Sequence, residues 1–211
     1  MKRINVFSLV FQQPASSTSY AHIKKGGIAQ EAFIMEMIRF LIDDALKNSN
    51  IKPLGSARLS TPVRFCGDGE VIFGRSVALG TIKGPSIMSV SQIVCINGGK
   101  VVFGDNVRVN NNFFIIADTV SVIIEEDTVI GANFKALTRN GHRIEHDRRD
   151  EIDNPKAIAI RRNVWIGHDC TVLKGTEIGT NSVIGLGVTL SRGVIIEPQS
   201  IIKMRNDLEF G

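Results

Sequence analysis

The sequence predicts an all-β solenoid, a parallel β-helix of six-residue repeats, and three observations support it. Read in steps of six, Ile160, Ile166, Val172, Ile178, Ile184, Leu190, Ile196 and Ile202 are all aliphatic. Four residues beyond the first seven come Val164, Cys170, Thr176, Ser182, Val188, Val194 and Ser200, all small or β-branched. Glycine follows the aliphatic residue at Gly167, Gly179 and Gly185. A helix has a period of 3.6 and a half-buried strand a period of 2, so a sustained period of six means short strands joined by regular corners. Three hexads make one triangular coil, and coils stack at the strand spacing of about 4.8 Å. The aliphatic residue fills the prism interior and the small one fits beside a corner. Several coils are needed because one alone cannot bury its apolar face.

The elements before this run follow in order. Residues 1–27 are irregular, and Ala15 to Tyr20 reads as a loop. Over Ile28 to Lys47 the period becomes helical: Ile34, Ile38, Leu41, Ile42 and Ala45 share one face, with Gly26-Gly27 before and Asn48-Ser49-Asn50 after. One amphipathic helix forms no core, so it is expected to cap the open end of the solenoid or to meet another subunit. The division is therefore 1–59, an irregular segment and capping helix, and 60–211, the β-helix. Hexads begin imperfectly with Phe73-Gly74 and Leu79-Gly80, continue through Phe103, Val109 and Ile115, shift by three residues near Ser121 to Ile123, and resume at Ile124, Ile130 and Ala136. About seven coils are expected.

The segment 140–156 breaks the pattern. Between His142 and Asp153 eight of twelve residues are charged. Burying so much unpaired charge is prohibitive, so the segment must leave the prism as a protruding loop, the place where a rigid scaffold usually carries chemistry.

Composition narrows the function. The chain has 211 residues, 43% hydrophobic, enough for one substantial core. One Trp and one Tyr give little for base stacking, so nucleic acid is not expected as a partner. The net charge of +4 fits an anionic ligand, although short basic pairs such as Arg161-Arg162 are usually solvated surface. Cys66, Cys95 and Cys170 show no ligand spacing, and reduced thiols in a cytoplasmic protein are expected, with Cys170 as a packed inward residue. The apolar run in Met1 to Phe11 is interrupted by Asn5 and Ser8, and no membrane span is expected.

Residues 103–202 resemble the hexapeptide-repeat acyltransferases, which are left-handed β-helices. The resemblance rests on His142 opening a polar loop, the return through Asn154-Pro155, Asn163-Val164-Trp165-Ile166-Gly167, Ile178-Gly179 and Ile184-Gly185-Leu186-Gly187-Val188. Within that family the chain is most similar to O-acetyltransferases of sugars and surface polysaccharides. The resemblance implies acetyl-CoA as co-substrate, a carbohydrate acceptor, a homotrimer with sites between subunits, and no metal. His142 matches the family's general base, which takes the acceptor hydroxyl's proton as it attacks the thioester. Glu145, Asp147 or a backbone carbonyl could orient its imidazole. Trp165 would wall the site or donate to the oxyanion, or it packs against a neighbouring chain. Gly185 and Gly187 would lie beside the pantetheine arm, or serve only as corners, and Lys174, Arg192, Lys203 and Arg205 are available for the phosphates.

His146, His168 and His22 compete less well for the base role: His168 follows a corner glycine and reads as an exposed corner residue. The family's usual Gly-x-Pro-Ala segment and C-terminal helix are missing after Ile202. Two alternatives remain open on the sequence. A γ-class carbonic anhydrase would hold zinc through three histidines, as His142, His146 and His168 could, and a non-catalytic solenoid would serve only as an assembly subunit.

Overall fold

A computed structural model describes residues 54–81, 90–140 and 154–204. The expected helix over 28–47 and most of the insertion lie outside these residues. The described residues form 19 strands in three parallel sheets, which are the faces of a prism. The first face has seven strands, from Ala57–Leu59 to Ile201–Ile202. The second has six, from Val63–Gly67 to Thr189–Leu190, and the third six, from Glu70–Phe73 to Ile195–Ile196. The chain visits the faces in turn and pairs each strand with the one a coil later. This is a left-handed parallel β-helix of between six and seven coils.

The hexad register is the core register. Ile160, Ile166, Val172, Ile178 and Ile184 are at most 1% exposed, and Leu190 and Ile196 stay buried. The second inward positions explain their own chemistry. A hydroxyl beside a corner can reach a carbonyl of the next coil: Thr176 Oγ1 donates to Ser191 O at 3.2 Å and Ser182 Oγ to Glu197 O at 3.1 Å. A larger polar side chain there would be buried without such a partner.

The corners follow a rule that the hexads do not announce. Three residues before many of the inward aliphatics, the backbone is left-handed: Asn106, Asn112, Asp127, Asn133, Asn163, Asp169 and Asn181 have φ near +53 to +60°, and Gly175, Gly187 and Gly193 near +72 to +74°. Asn, Asp and Gly tolerate this region best. The Asn side chains then bond along the axis. Asn112 Nδ2 donates to Asn133 Oδ1 at 2.6 Å, Asn133 Nδ2 to Asp169 Oδ1 at 2.7 Å, and Asn163 Nδ2 to Asn181 Oδ1 at 2.9 Å. Gly131 meets a different demand, since a Cβ there would lie 2.6 Å from His168 N of the next coil.

Register also shows where the coils differ. Trp165, Val183 and Ile201 are Cα partners at steps of 18 residues, whereas the step from Arg108 to Val129 is 21 and from Ala78 to Arg108 is 30. The step from Val129 to Trp165 is 36, one regular coil plus the insertion. The three extra residues fall just before Ser121, where Asp118 ends a strand of the second face and Ser121 begins one of the third. The insertion leaves from the same corner, between Lys135–Leu137 and Ile158–Ile160. Stacking tolerates an outward loop at a corner because the inward residues on both sides keep their places.

Candidate functional site

Two corners of the prism carry the candidate residues. The second-to-third corner holds the root of the charged insertion. Lys156 N donates to Thr138 O at 2.9 Å, closing the neck of the loop. Above it, Arg139 Nη1 meets Asp118 Oδ2 at 2.8 Å and Asn97 Nδ2 donates to Asp118 Oδ1 at 2.7 Å. The Asp118 side chain is 3% exposed, so these two donors are what make a buried carboxylate tolerable there. Below, the buried Lys174 donates from Nζ to Asn154 O at 3.1 Å. The exit and return of the insertion are thus pinned to the coils on either side.

A cleft of about 350 Å³ opens beside this root, lined among the described residues by Asn154, Lys156, Lys174, Arg192 and Gly193. Among the described residues the lining carries Lys156 and Arg192 beside the engaged Lys174, and no carboxylate. Lys156 is the residue that sequence reasoning passed over. Its signal was the Asn154-Pro155-Lys156 return itself, which places a cation at the mouth of the loop.

The first-to-second corner holds the other group. Trp165 stands outward on the first face, 60% exposed, and Leu186 and Met204 near the corner are 63% and 60% exposed. Gly167, Gly185 and Lys203 stack at this corner in successive coils: a Cβ on Gly167 would come 2.8 Å from Leu186 N, and one on Gly185 3.4 Å from Lys203 Cα. Gly187 takes the left-handed conformation and donates its N–H to His168 O at 2.9 Å. Coil stacking requires Gly167 whether or not a ligand approaches it, whereas a Cβ on Gly185 would make only a tight contact and Gly187 serves the left-handed turn.

His168 is exposed at this corner, and its ring is engaged: Nδ1 accepts from Ala132 N at 3.1 Å. That bond uses the Nδ1 lone pair and leaves the proton of a neutral ring on Nε2. A general base needs a free ring lone pair facing the acceptor, so His168 is poorly arranged for that task. Cys170, inward beneath it, donates from Sγ to Gly185 O at 3.1 Å, and burial pushes its thiol pKa up. It is a packed residue.

The structure therefore brings Gly185, Gly187 and Lys203 together near Trp165, and sets Lys174 with Lys156 and Arg192 at the next corner. A strand of the second face separates the two groups. His142, His146, Glu145, Asp147 and Arg205 lie outside the described residues. Arg161 is engaged elsewhere: it spans Glu125 at 2.9 Å and Glu177 at 2.6 Å, tying three coils together. Among the described residues, no group of three or more His, Cys, Asp or Glu is placed to hold a metal ion, and no helix is long and apolar enough to cross a membrane.

Residues 158–192 match the family model described as bacterial transferase hexapeptide (six repeats). The match falls on the regular lower coils of the prism. The chain is 29% identical over 163 residues to a candidate lipopolysaccharide-biosynthesis O-acetyl transferase of Escherichia coli K12, covering 69% of this chain and 77% of that protein. It is 32% identical over 98 residues to the galactoside O-acetyltransferase of the same organism, covering 44% and 48% of the two chains. The chain spans about half the length of most curated relatives it matches. The crystal structure of a polySia-specific acetyltransferase superposes with a TM-score of 0.53 at 20% identity, over 77% of this chain and 88% of that one. At that identity the likeness is one of fold.

Proposed function

We propose that this protein transfers the acetyl group of acetyl-CoA to a hydroxyl of a sugar or surface polysaccharide. The observation that carries the reading is the alignment over 69% of the chain with a relative named for O-acetyl transfer, joined to a prism whose one large charged insertion is anchored on both sides. His142, in that insertion, is the general base. The acceptor hydroxyl attacks the thioester carbonyl while His142 takes its proton, and a C–O bond forms. The tetrahedral oxyanion then collapses, the C–S bond breaks, and the proton passes from His142 to the departing thiolate. The products are an acetyl ester and free CoA. No covalent enzyme intermediate is needed. A backbone N–H or the Trp165 indole supports the oxyanion.

The co-substrate lies along the first-to-second corner, with its pantetheine arm beside Gly185 and Gly187 and Lys203 and Arg205 near its phosphates. Lys156 and Arg192 belong to a different corner of the same chain, so they reach the same CoA only from a second subunit. A homotrimer with sites between subunits satisfies that geometry. The exposed apolar side chains of Ile195 and Ile201 in the last coils supply a surface for subunit contact. The reaction needs no metal, and the protein works in the cytoplasm.

The test is transfer from labelled acetyl-CoA to a carbohydrate panel by the full chain. An ester product with one CoA thiol released per acetyl group is expected. Stoichiometric zinc in the purified protein, with no transfer to any acceptor, would overturn the reading.

A further inference from the structure

Outward on the first face, Arg58, Ala78 and Arg108 are Cα partners in successive coils, followed by Val129 and Trp165. The face thus changes character along its length, from cationic in the upper coils to apolar in the lower ones. Ala78 has only a methyl group between two long guanidinium side chains, and a cleft of about 740 Å³ opens there. Ser60, Ser76, Thr81 and Asn110 add hydroxyl and amide groups to its walls, and its described lining contains no Asp, no Glu and no aromatic residue.

The two arginines differ from others on the prism. Arg75, Arg139, Arg161 and Arg162 each meet a carboxylate within 4 Å. Arg58 and Arg108 are exposed and have no ion-pair partner among the described residues. A guanidinium fork matches a carboxylate with two parallel N–H donors. The backbones of Arg58 and Arg108 are two ladder steps apart, about 10 Å, and Trp165 lies another two steps below Arg108. An extended ligand following this face would meet two cations at a regular interval before reaching Trp165. The described lining offers no aromatic platform on which a nucleobase could stack.

We infer that the Arg58–Arg108 cleft binds the carboxylate-bearing units of an extended acidic polysaccharide, upstream of the unit that reacts. The inference rests on the acetyl-transfer reading for its place in a reaction, but the binding itself does not. Arg58 and Arg108 pair with carboxylates on the glycan, Ala78 leaves room for the sugar ring, and the hydroxyl and amide groups meet its hydroxyls.

The experiment is calorimetric titration of the full chain, without acetyl-CoA, with a hexameric oligogalacturonate and with its neutral methyl ester. The charged oligomer is expected to bind at least about tenfold more tightly, with the preference shrinking as salt is raised. Replacing both arginines (Arg58→Gln with Arg108→Gln) removes the preference, and Ala78→Gln, which fills the notch and leaves both arginines, weakens binding of the same oligomer. Arg64→Gln, an exposed arginine on the second face, leaves the preference in place. Equal affinity for the two oligomers, a preference that survives the double replacement, or an equal loss with Arg64→Gln overturns the inference. A chain that transfers no acetyl group yet shows this arginine-dependent preference would refute the proposed reaction and leave the binding site standing.

Discussion

The lower coils, 158–202, and the upper coils, 57–138, solve the same packing problem in different ways. Below the insertion the strands are two or three residues long, every coil has 18 residues, and the interior is filled by Ile, Val and Leu in one register. Above it, strands reach six residues, coils vary in length, and the interior includes Phe65, Phe73, Phe103, Phe113 and Phe134. Phe73 and Phe103 stack in successive coils with ring centroids 5.4 Å apart, and Phe65 meets Phe73 edge-on at 6.3 Å. In the upper coils aromatic rings share the interior with the aliphatic side chains. The regular half is scaffold with little freedom to vary. The irregular half, together with the insertion between the halves, is where the chain departs from repetition and places charge.

That contrast can be broken in several ways, beginning with the largest effect. Replacing 141–153 by a short Gly-Ser link should lower acetyl transfer by about 100-fold or more, as expected when a general base is removed. The melting temperature should move little, because Thr138 and Lys156 already close the neck; a collapse of the fold would show that the insertion is structural. Next, Phe103→Ala should cost about 3–5 kcal/mol in denaturant unfolding, while Ile178→Val in a regular coil should cost about 1 kcal/mol. A loss below about 1 kcal/mol for Phe103→Ala would deny that its ring is packed in the interior. Arg139→Ala should cost about 1–3 kcal/mol by leaving the buried Asp118 carboxylate with one donor fewer. Urea titration checks both.

The smallest effect concerns the thiols. Burial pushes the Cys95 thiol up to about 12 and also raises that of Cys170. Both should resist alkylation at pH 8 in the folded chain and react once it is unfolded, as read by mass spectrometry. The sign for stability follows. Folding holds these thiols protonated, so their contribution is complete below about pH 9, the ordinary value for a thiol, and for Cys95 is lost as the pH rises towards about 12.

Much of the lower half was legible in the sequence because one residue type recurs at one interval and is buried every time. The second inward positions were legible as small, but not their hydroxyl bonds to the next coil. The corners could have been read as well: Asn163, Asp169, Gly175, Asn181, Gly187 and Gly193 stand three residues before successive inward aliphatics, a repeat of turn-forming residues parallel to the apolar one. The upper coils were harder because steps of 21 and 30 residues erase a fixed period. Candidate ligands were the least legible. Lys174 and Lys203 look equivalent in the sequence, and only the order of faces shows that they stand at different corners. Likewise nothing in the spacing of Arg58, Ala78 and Arg108 announces that they share one stripe.

The central claim is that the insertion supplies the base and the regular coils hold the site. It is tested most directly by measuring acetyl-transfer rates for His142→Ala and His168→Ala side by side, with folding checked by circular dichroism. The account predicts a loss of about 100-fold or more for His142→Ala and no more than a few-fold for His168→Ala. Full activity in His142→Ala, or a greater loss in His168→Ala, would contradict it.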